Sequence, residues 1–249
     1  MQHNLNCLAM KKLYSIRLVM PFLLAFGFSS CVVYSPHNAD IPLLYERGQL
    51  QIDASASLSA PLLAVPAVNA SVAYSPFNHV AVQGAASLSA LNSIYAQGAV
   101  GTYFPFGNMV LECYAGYGYG YTNIDSIAST TASSGYRING NYNLYYGQLN
   151  LGWAQLLDGY LDLGFGVKGG LLAPNWSRYK LSTDASNQVV AAHTDNHLLI
   201  EPQFMLRLGG QHLKFTFNLS YAYLRGWPNS NVYLNYERIS AALGIHYKF

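Results

Sequence analysis

From Leu213 to Tyr223 every second residue is apolar or aromatic: Leu213, Phe215, Phe217, Leu219, Tyr221 and Tyr223 alternate with Lys214, Thr216, Asn218, Ser220 and Ala222. A period of two belongs to an extended strand, whose successive side chains point to opposite faces. The last segment repeats it, with Ile239, Ala241, Leu243, Ile245, Tyr247 and Phe249 set against Arg238, Ser240, Ala242, Gly244, His246 and Lys248. Such a strand lays one face against something apolar, either a protein core or lipid. A soluble β-domain turns its apolar face inward and covers the outside with charge. Here only 10% of residues are charged and 51% are apolar, where soluble domains carry about 25% charge. The apolar faces are therefore expected to point outward into lipid, and a soluble lipocalin-like barrel or sandwich on an anchor is the alternative. Between Gly48 and Phe249 no apolar run reaches the length of a membrane helix. The remaining way to pair every backbone group in lipid is a closed barrel.

The same alternation marks segments 48–58, 64–74, 79–89, 94–104, 109–121, 140–153, 159–171 and 197–207, which with the two above makes ten. At about 3.3 Å per residue and a tilt near 40°, a segment of this length crosses the roughly 25 Å apolar band of an outer membrane. The connections sort by length. Residues 75–78, 105–108, 154–158 and 209–211 are short, and 122–139, 172–196 and 225–235 are long. Short and long fall at opposite ends, as in bacterial barrels with brief periplasmic turns and longer outer loops. The sequence predicts an all-β, transmembrane up-and-down antiparallel barrel of about ten strands, with eight or twelve as the fallback.

The opposite face of these strands collects Glu112, Asp162, Lys168, Glu201, Arg207, Lys214, Arg238, His246 and Lys248, together with Gly116, Gly118, Gly164 and Gly166. Ten strands enclose a narrow interior, so charges of both signs are expected to pair across it while the glycines leave room for large side chains. A filled lumen is predicted rather than an open pore. Tyr114 and Leu144 share this face although neither is strongly hydrophilic. Tyr117, Tyr119, Tyr121, Trp227 and Tyr233 lie near the outer strand ends, where amphipathic rings suit the membrane interface. An aromatic sugar-binding platform is the competing reading.

The first thirty residues follow a different grammar. Lys11, Lys12 and Arg17 precede an apolar run from Leu18 to Phe28, the pattern of a signal peptide and too short for a spanning helix. Met10, directly before the lysines, is a candidate start. Phe28-Ser29-Ser30-Cys31 resembles the lipobox of bacterial lipoproteins, with Phe28 where Leu is usual. That resemblance implies acylation of Cys31, and a plain secretory signal beside an unrelated Cys is the alternative. Two or more acyl chains on one residue anchor a protein stably. The expected organisation is a signal peptide over 1–30, a periplasmic linker over 31–47 and the barrel over 48–249. With Cys7 removed and Cys31 acylated, Cys113 is the remaining thiol, which excludes an internal disulfide or a Cys-based metal site.

The alternating strand that ends in Tyr247 and Phe249 resembles the C-terminal signal by which outer-membrane barrels are recognised for insertion. The partners implied are outer-membrane lipid and the barrel assembly and lipoprotein export machinery. Nucleic acid is not a partner: the net charge is +2 and no basic run exceeds Lys11-Lys12.

Chemistry-bearing motifs are sparse. His193, Asp195 and His197 cluster at one loop-strand junction, where alternate positions place two imidazoles on one face, a geometry usable for a metal or an acid-base pair. No third ligand accompanies them, and solvated loop residues are the preferred reading. His37 and His79 read as linker and turn residues. No Walker loop, dinucleotide fingerprint or nucleophile elbow is present, so no catalytic residue, metal or cofactor is assigned.

The segment Ile41-Pro42-Leu43-Leu44-Tyr45-Glu46-Arg47-Gly48-Gln49-Leu50 resembles the start of uncharacterised outer-membrane β-barrel lipoproteins of Bacteroidota, in which an apolar Pro-Leu pair and a charged-Gly step lead from the lipidated Cys into the first strand. The resemblance implies a barrel and an anchor and transfers no catalytic residue. Surface-exposed lipoproteins of those bacteria often carry acidic residues just after the Cys. Val32-Val33-Tyr34-Ser35-Pro36 has none, which implies an anchor in the periplasmic leaflet. The function expected is that of a non-enzymatic structural or accessory component of an outer-membrane assembly, in contact with a partner there. A narrow passive pore and a barrel-borne hydrolase or acyltransferase are the alternatives.

Overall fold

The computed structural model describes residues 34–37, 40–60, 65–90, 92–126, 135–181, 188–228, 234 and 236–249. The segment expected to be a signal peptide and Cys31 lie outside them, as does Tyr233. Twelve strands follow in chain order: β1 Leu50–Ala60, β2 Val65–Phe77, β3 Val80–Ser89, β4 Ser93–Phe106, β5 Met109–Ser126, β6 Gly135–Leu156, β7 Leu161–Leu181, β8 Gln188–His193, β9 His197–Gly209, β10 Leu213–Tyr221, β11 Tyr223–Gly226 and β12 Ile239–Lys248. All named pairings are antiparallel, and β1 pairs with β12 from Gln51 opposite Lys248 to Ala60 opposite Ile239, which closes the sheet on itself. The upper part of β7 pairs with β8 and its lower part with β9, so those two strands share one stave. β10 and β11, interrupted at Ala222, likewise both lie along β9. The result is a closed, all-β barrel of ten staves, in the order and with the up-and-down connections the alternation predicts.

The turns at 78–79, 107–108, 157–160 and 210–212 all fall at one end of the barrel, and the long connections fall at the other, beside the brief ones at 61–64 and 90–92. The predicted boundaries at the long-connection end were too short. β5, β6 and β7 run for 18, 22 and 21 residues, about twice what a tilted strand needs to cross the membrane. Their pairing continues to Ser126 opposite Tyr136 and to Gly135 opposite Leu181, through residues the sequence assigned to loops. The physical reason is that alternation detects contact with lipid. Beyond the lipid a hairpin keeps its backbone ladder while its outer face turns to Asn139, Asn141 and Asn143.

The exterior carries the apolar set. Phe215 is 71% exposed and Leu243 69%, while Lys214, Thr216, Asn218 and Ser220 between and beside them on β10 are buried. Exposed rings form two belts: Tyr117, Tyr119 and Trp227 toward the long connections, and Phe77, Phe106, Tyr160, Tyr247 and Phe249 at the short-turn end. Such rings suit the two membrane interfaces.

The barrel is not hollow. Residues 34–37 and 40–49, expected from the sequence as the end of a linker and the approach to the first strand, lie in the lumen instead, with Tyr34, Ile41, Leu43 and Leu44 fully buried. Three apolar residues in four positions are poorly suited to a solvated linker. Inside the barrel they meet inward-facing Val110, Leu144, Leu172, Leu199 and Met205, and together these form the buried core. The inward apolar positions that sat badly with a polar lumen, Tyr114 and Leu144 among them, belong to this same buried core.

Candidate functional site

A chain passing through a lumen without joining its sheet leaves its own N–H and C=O groups to be satisfied by something else, since a buried unpaired backbone group costs as much as a lost hydrogen bond. The wall's inward side chains do this. Glu112, which is fully buried, accepts the Leu44 N–H at 2.9 Å and an Asn150 amide N–H at 3.0 Å. Gln148 donates to the Asp40 carbonyl at 2.7 Å, Arg207 to the Pro42 carbonyl at 3.2 Å and Ser220 to the His37 carbonyl at 2.9 Å. Gln97 donates to the Asp40 carboxylate. Glu112, Gln148, Arg207 and Ser220 come from β5, β6, β9 and β10, so the strap is held from several sides of the barrel.

Seven of the nine ionisable residues expected in the lumen, Glu112, Asp162, Lys168, Glu201, Arg207, Lys214 and His246, are buried there, and the structure groups most of them. Lys214 Nζ lies 2.6 Å from Asp162, whose same oxygen accepts the Gln155 N–H at 2.8 Å. Lys168 Nζ stands 3.9 Å from Glu201, 3.2 Å from Gln97 Oε1 and 5.0 Å above the Tyr146 ring. Glu201 in turn accepts the Tyr34 hydroxyl at 2.6 Å and a Gln203 N–H at 2.7 Å, so the strap takes part in a charge cluster of the wall. Arg207 donates to both carboxylate oxygens of Asp53 at 3.3 Å, and His246 Nδ1 is 3.1 Å from each. The cost of burying such pairs is offset in part where an ion also has neutral partners, as Glu201 has in Tyr34 and Gln203 and Asp162 in the Gln155 N–H. Arg238, read as a lumen residue, is instead exposed just before β12 begins, and Lys248 is half-buried at the short-turn mouth.

Sequence reasoning missed Asp53 and Asp40. Asp53 was within reach: on β1 it shares parity with Gln51, Ser55, Ser57 and Ser59, all buried and inward. Asp40 carried no signal, because nothing periodic marks a strap. The lumen glycines make room for large groups, as expected, but two of them serve the strap. A Cβ at Gly164 would lie 2.9 Å from Ile41 Cγ2, and one at Gly166 3.2 Å from Ile41 Cδ1. His37 has a definite role in place of linker exposure, while His79 is an exposed turn residue as expected. His37 stacks on Tyr95 with centroids 3.6 Å apart, and His79 Nδ1 is 2.9 Å from the Tyr103 carbonyl.

Small cavities lie beside the strap among the described residues. Two cavities between it and the inward faces of β1 to β4 measure about 20 and 10 Å³, room for about one water each. A larger recess of about 510 Å³ opens at the short-turn end, lined in part by Tyr45, Gln49, Arg207, Lys214 and His246. It is floored by the strap at Pro42 and Leu43.

The histidine cluster does not assemble a centre in the described residues. His193 ends β8 and His197 opens β9 across a short connection, with His197 buried and its Nδ1 2.8 Å from the Asp195 carbonyl. The side chain of His193 is outside the described set. Among the described residues no group of three His, Cys, Asp or Glu side chains is placed to hold a metal.

No family model and no curated protein matches the chain. Solved structures similar to it include the translocator domain of the autotransporter NalP from Neisseria meningitidis, at 12% identity and a TM-score of 0.45 over 98% of each chain. The N-terminal β-barrel domain of Pseudomonas aeruginosa OprF follows at 10% identity and a TM-score of 0.34, covering 82% of this chain and 98% of that one. Outer membrane phospholipase A from Escherichia coli is similar at 8% identity and a TM-score of 0.32, over 85% and 94%. These likenesses concern the barrel architecture only.

Proposed function

We propose that this chain is a non-enzymatic outer-membrane β-barrel lipoprotein, closed by its own N-terminal strap, that serves as a structural or accessory component of a bacterial outer-membrane assembly. The observation that carries the reading is the strap. A lumen crossed by residues 34–37 and 40–49, with wall side chains bonded to the strap's backbone, leaves little room for water among the described residues, which speaks against a passive pore. The same filling takes the wall's buried carboxylates and lysines into structural pairs. What such a protein presents to partners is its apolar wall, in contact with outer-membrane lipid, and its tall outer rim. Acylation of Cys31 and kinship with Bacteroidota barrel lipoproteins belong to this proposal and are supported by the sequence grammar alone. So does its delivery by the lipoprotein export and barrel assembly machinery.

The test is reconstitution of the purified full chain in planar bilayers, alongside gel migration of heated and unheated samples in detergent. A heat-dependent shift with a silent bilayer is the expected result. Steady unitary conductance would replace this reading with that of a narrow pore. Protein released from membranes by high salt, with no heat shift, would mean an anchored soluble β-domain.

A further inference from the structure

The direction in which the strap crosses the lumen decides where the chain before it leaves. At the short-turn end the Gly48 N–H donates to the Ser75 carbonyl at 2.7 Å, and the Tyr45 hydroxyl donates to the carbonyl of Asn108 in the β4–β5 turn. Going back along the chain, Leu44 meets Glu112, Asp40 meets Gln148, His37 meets Tyr95 and Ser220, and Ser35 lies 2.7 Å from Ser59. On β1, β5 and β10, which run away from the short turns, these partners lie progressively farther along the strand. On β6, which runs toward them, the order reverses, from Ala154 beside Tyr45 to Tyr142 beside His37. The strap ends at the long-connection mouth, where Tyr34 bridges Tyr236, its carbonyl accepts the Glu237 N–H at 2.9 Å and Ser35 donates to the Glu237 carboxylate at 3.1 Å.

A trans chain advances at most about 3.6 Å per residue, so Cys31, three positions before Tyr34, lies within roughly 11 Å of it. The apolar band between the two mouths is roughly 25 Å tall. Residues 31–33 are too few to return to the short-turn side.

We propose that the chain preceding Tyr34 emerges on the outer face of the barrel, so that Cys31 is presented at the cell surface and an acyl group on it enters the outer leaflet. This rests on the outer-membrane reading above, which sets the long connections outside, and it reverses the periplasmic leaflet that the missing acidic residues after Cys31 implied. The barrel then acts as the conduit through which its own N-terminus is held across the membrane.

The experiment places one epitope between Val32 and Val33, a second within 127–134 and a third at the 210–211 turn, each in the full chain expressed in a bacterium and each checked for heat-shifted migration. Antibody binding is compared between intact and permeabilised cells. The first two epitopes are expected to give equal signals in both, and the third a signal only after permeabilisation. If the epitope in 127–134 is seen on intact cells and the one at 32–33 is not, the proposal falls while the barrel reading stands. If the third is seen on intact cells and the second is not, the orientation itself is wrong and both fall. Should the tagged chain fail to fold, Val33→Cys in a Cys113→Ser background, treated with a membrane-impermeant maleimide, gives the same discrimination. Labelling of intact cells supports the proposal, and labelling only after permeabilisation overturns it.

Discussion

The wall and the strap meet the same requirement by opposite means. Both are extended chain buried from water, and both must pair their backbone groups. The wall does so by its own ladder, strand to strand, and any side chain of the right polarity will serve on either face. The strap has no ladder. Its amides and carbonyls at His37, Asp40, Pro42 and Leu44 are met by particular side chains of Ser220, Gln148, Arg207 and Glu112. A ladder is indifferent to most single substitutions, while a set of side-chain tethers depends on each member. Lesions within the wall and lesions between wall and strap should therefore differ in kind.

Removing the strap, by deleting residues 34–47, is the largest perturbation. It empties the core around Ile41, Leu43 and Leu44, and the deleted chain is expected to conduct in planar bilayers where the full chain is silent. A deleted chain that stays silent would mean that the wall's own side chains fill the lumen, and the contrast between the two regions would collapse.

Lys214→Met tests the wall alone. It leaves Asp162 buried and without its cation, a change that costs about 3–5 kcal/mol. The expectation is a lower midpoint for heat-modified migration with no conductance, and partial recovery in the double variant with Asp162→Leu. Glu112→Leu tests the tether. Stranding the Leu44 N–H and the Asn150 amide costs about 1–3 kcal/mol. Hydrogen exchange of the strap amides is expected to rise roughly ten- to a hundredfold, at about 1.4 kcal/mol per tenfold step, with the midpoint for the wall little changed. If Glu112→Leu instead lowers the wall's midpoint as far as Lys214→Met does, strap and wall are one cooperative unit.

The smallest expected effect is at the outer mouth. Burial raises the carboxyl of Glu237 above its ordinary range, against the opposing hydrogen bonds from Ser59 and Ser35. A raised native value means that the folded state holds the proton more tightly than the unfolded chain. Its contribution is complete below the ordinary carboxyl range and is lost as pH rises through the raised value. Exchange of the Glu237 amide, bonded to the Tyr34 carbonyl, should therefore quicken slightly as pH rises through that value beyond the intrinsic rate, and Glu237→Gln should remove the excess.

Much of the wall could be read in advance because lipid imposes one simple rule on it. Leu213 to Tyr223 must alternate for a strand to face lipid on one side, and in an up-and-down barrel alternate connections fall at opposite ends. The inward charges followed from the same parity. Where the rule stops applying, the reading stopped with it. β5 to β7 continue past the membrane on backbone pairing alone, and Arg238 lies just before β12 begins, where parity no longer dictates an inward side chain. The strap obeys no period, since each of its residues is placed by a different neighbour.

The sequence by itself determined that this chain closes into a barrel with apolar residues outside and paired charges within, because alternation and backbone pairing in lipid are local properties legible strand by strand. That the interior holds residues 34–37 and 40–49, and that the strap runs from the long-connection mouth to the short-turn mouth, was decided by tertiary structure alone. Those facts depend on groups brought together from the two ends of the chain, such as Tyr34 with Glu201 and Tyr236, and no local pattern encodes a meeting between residues so far apart.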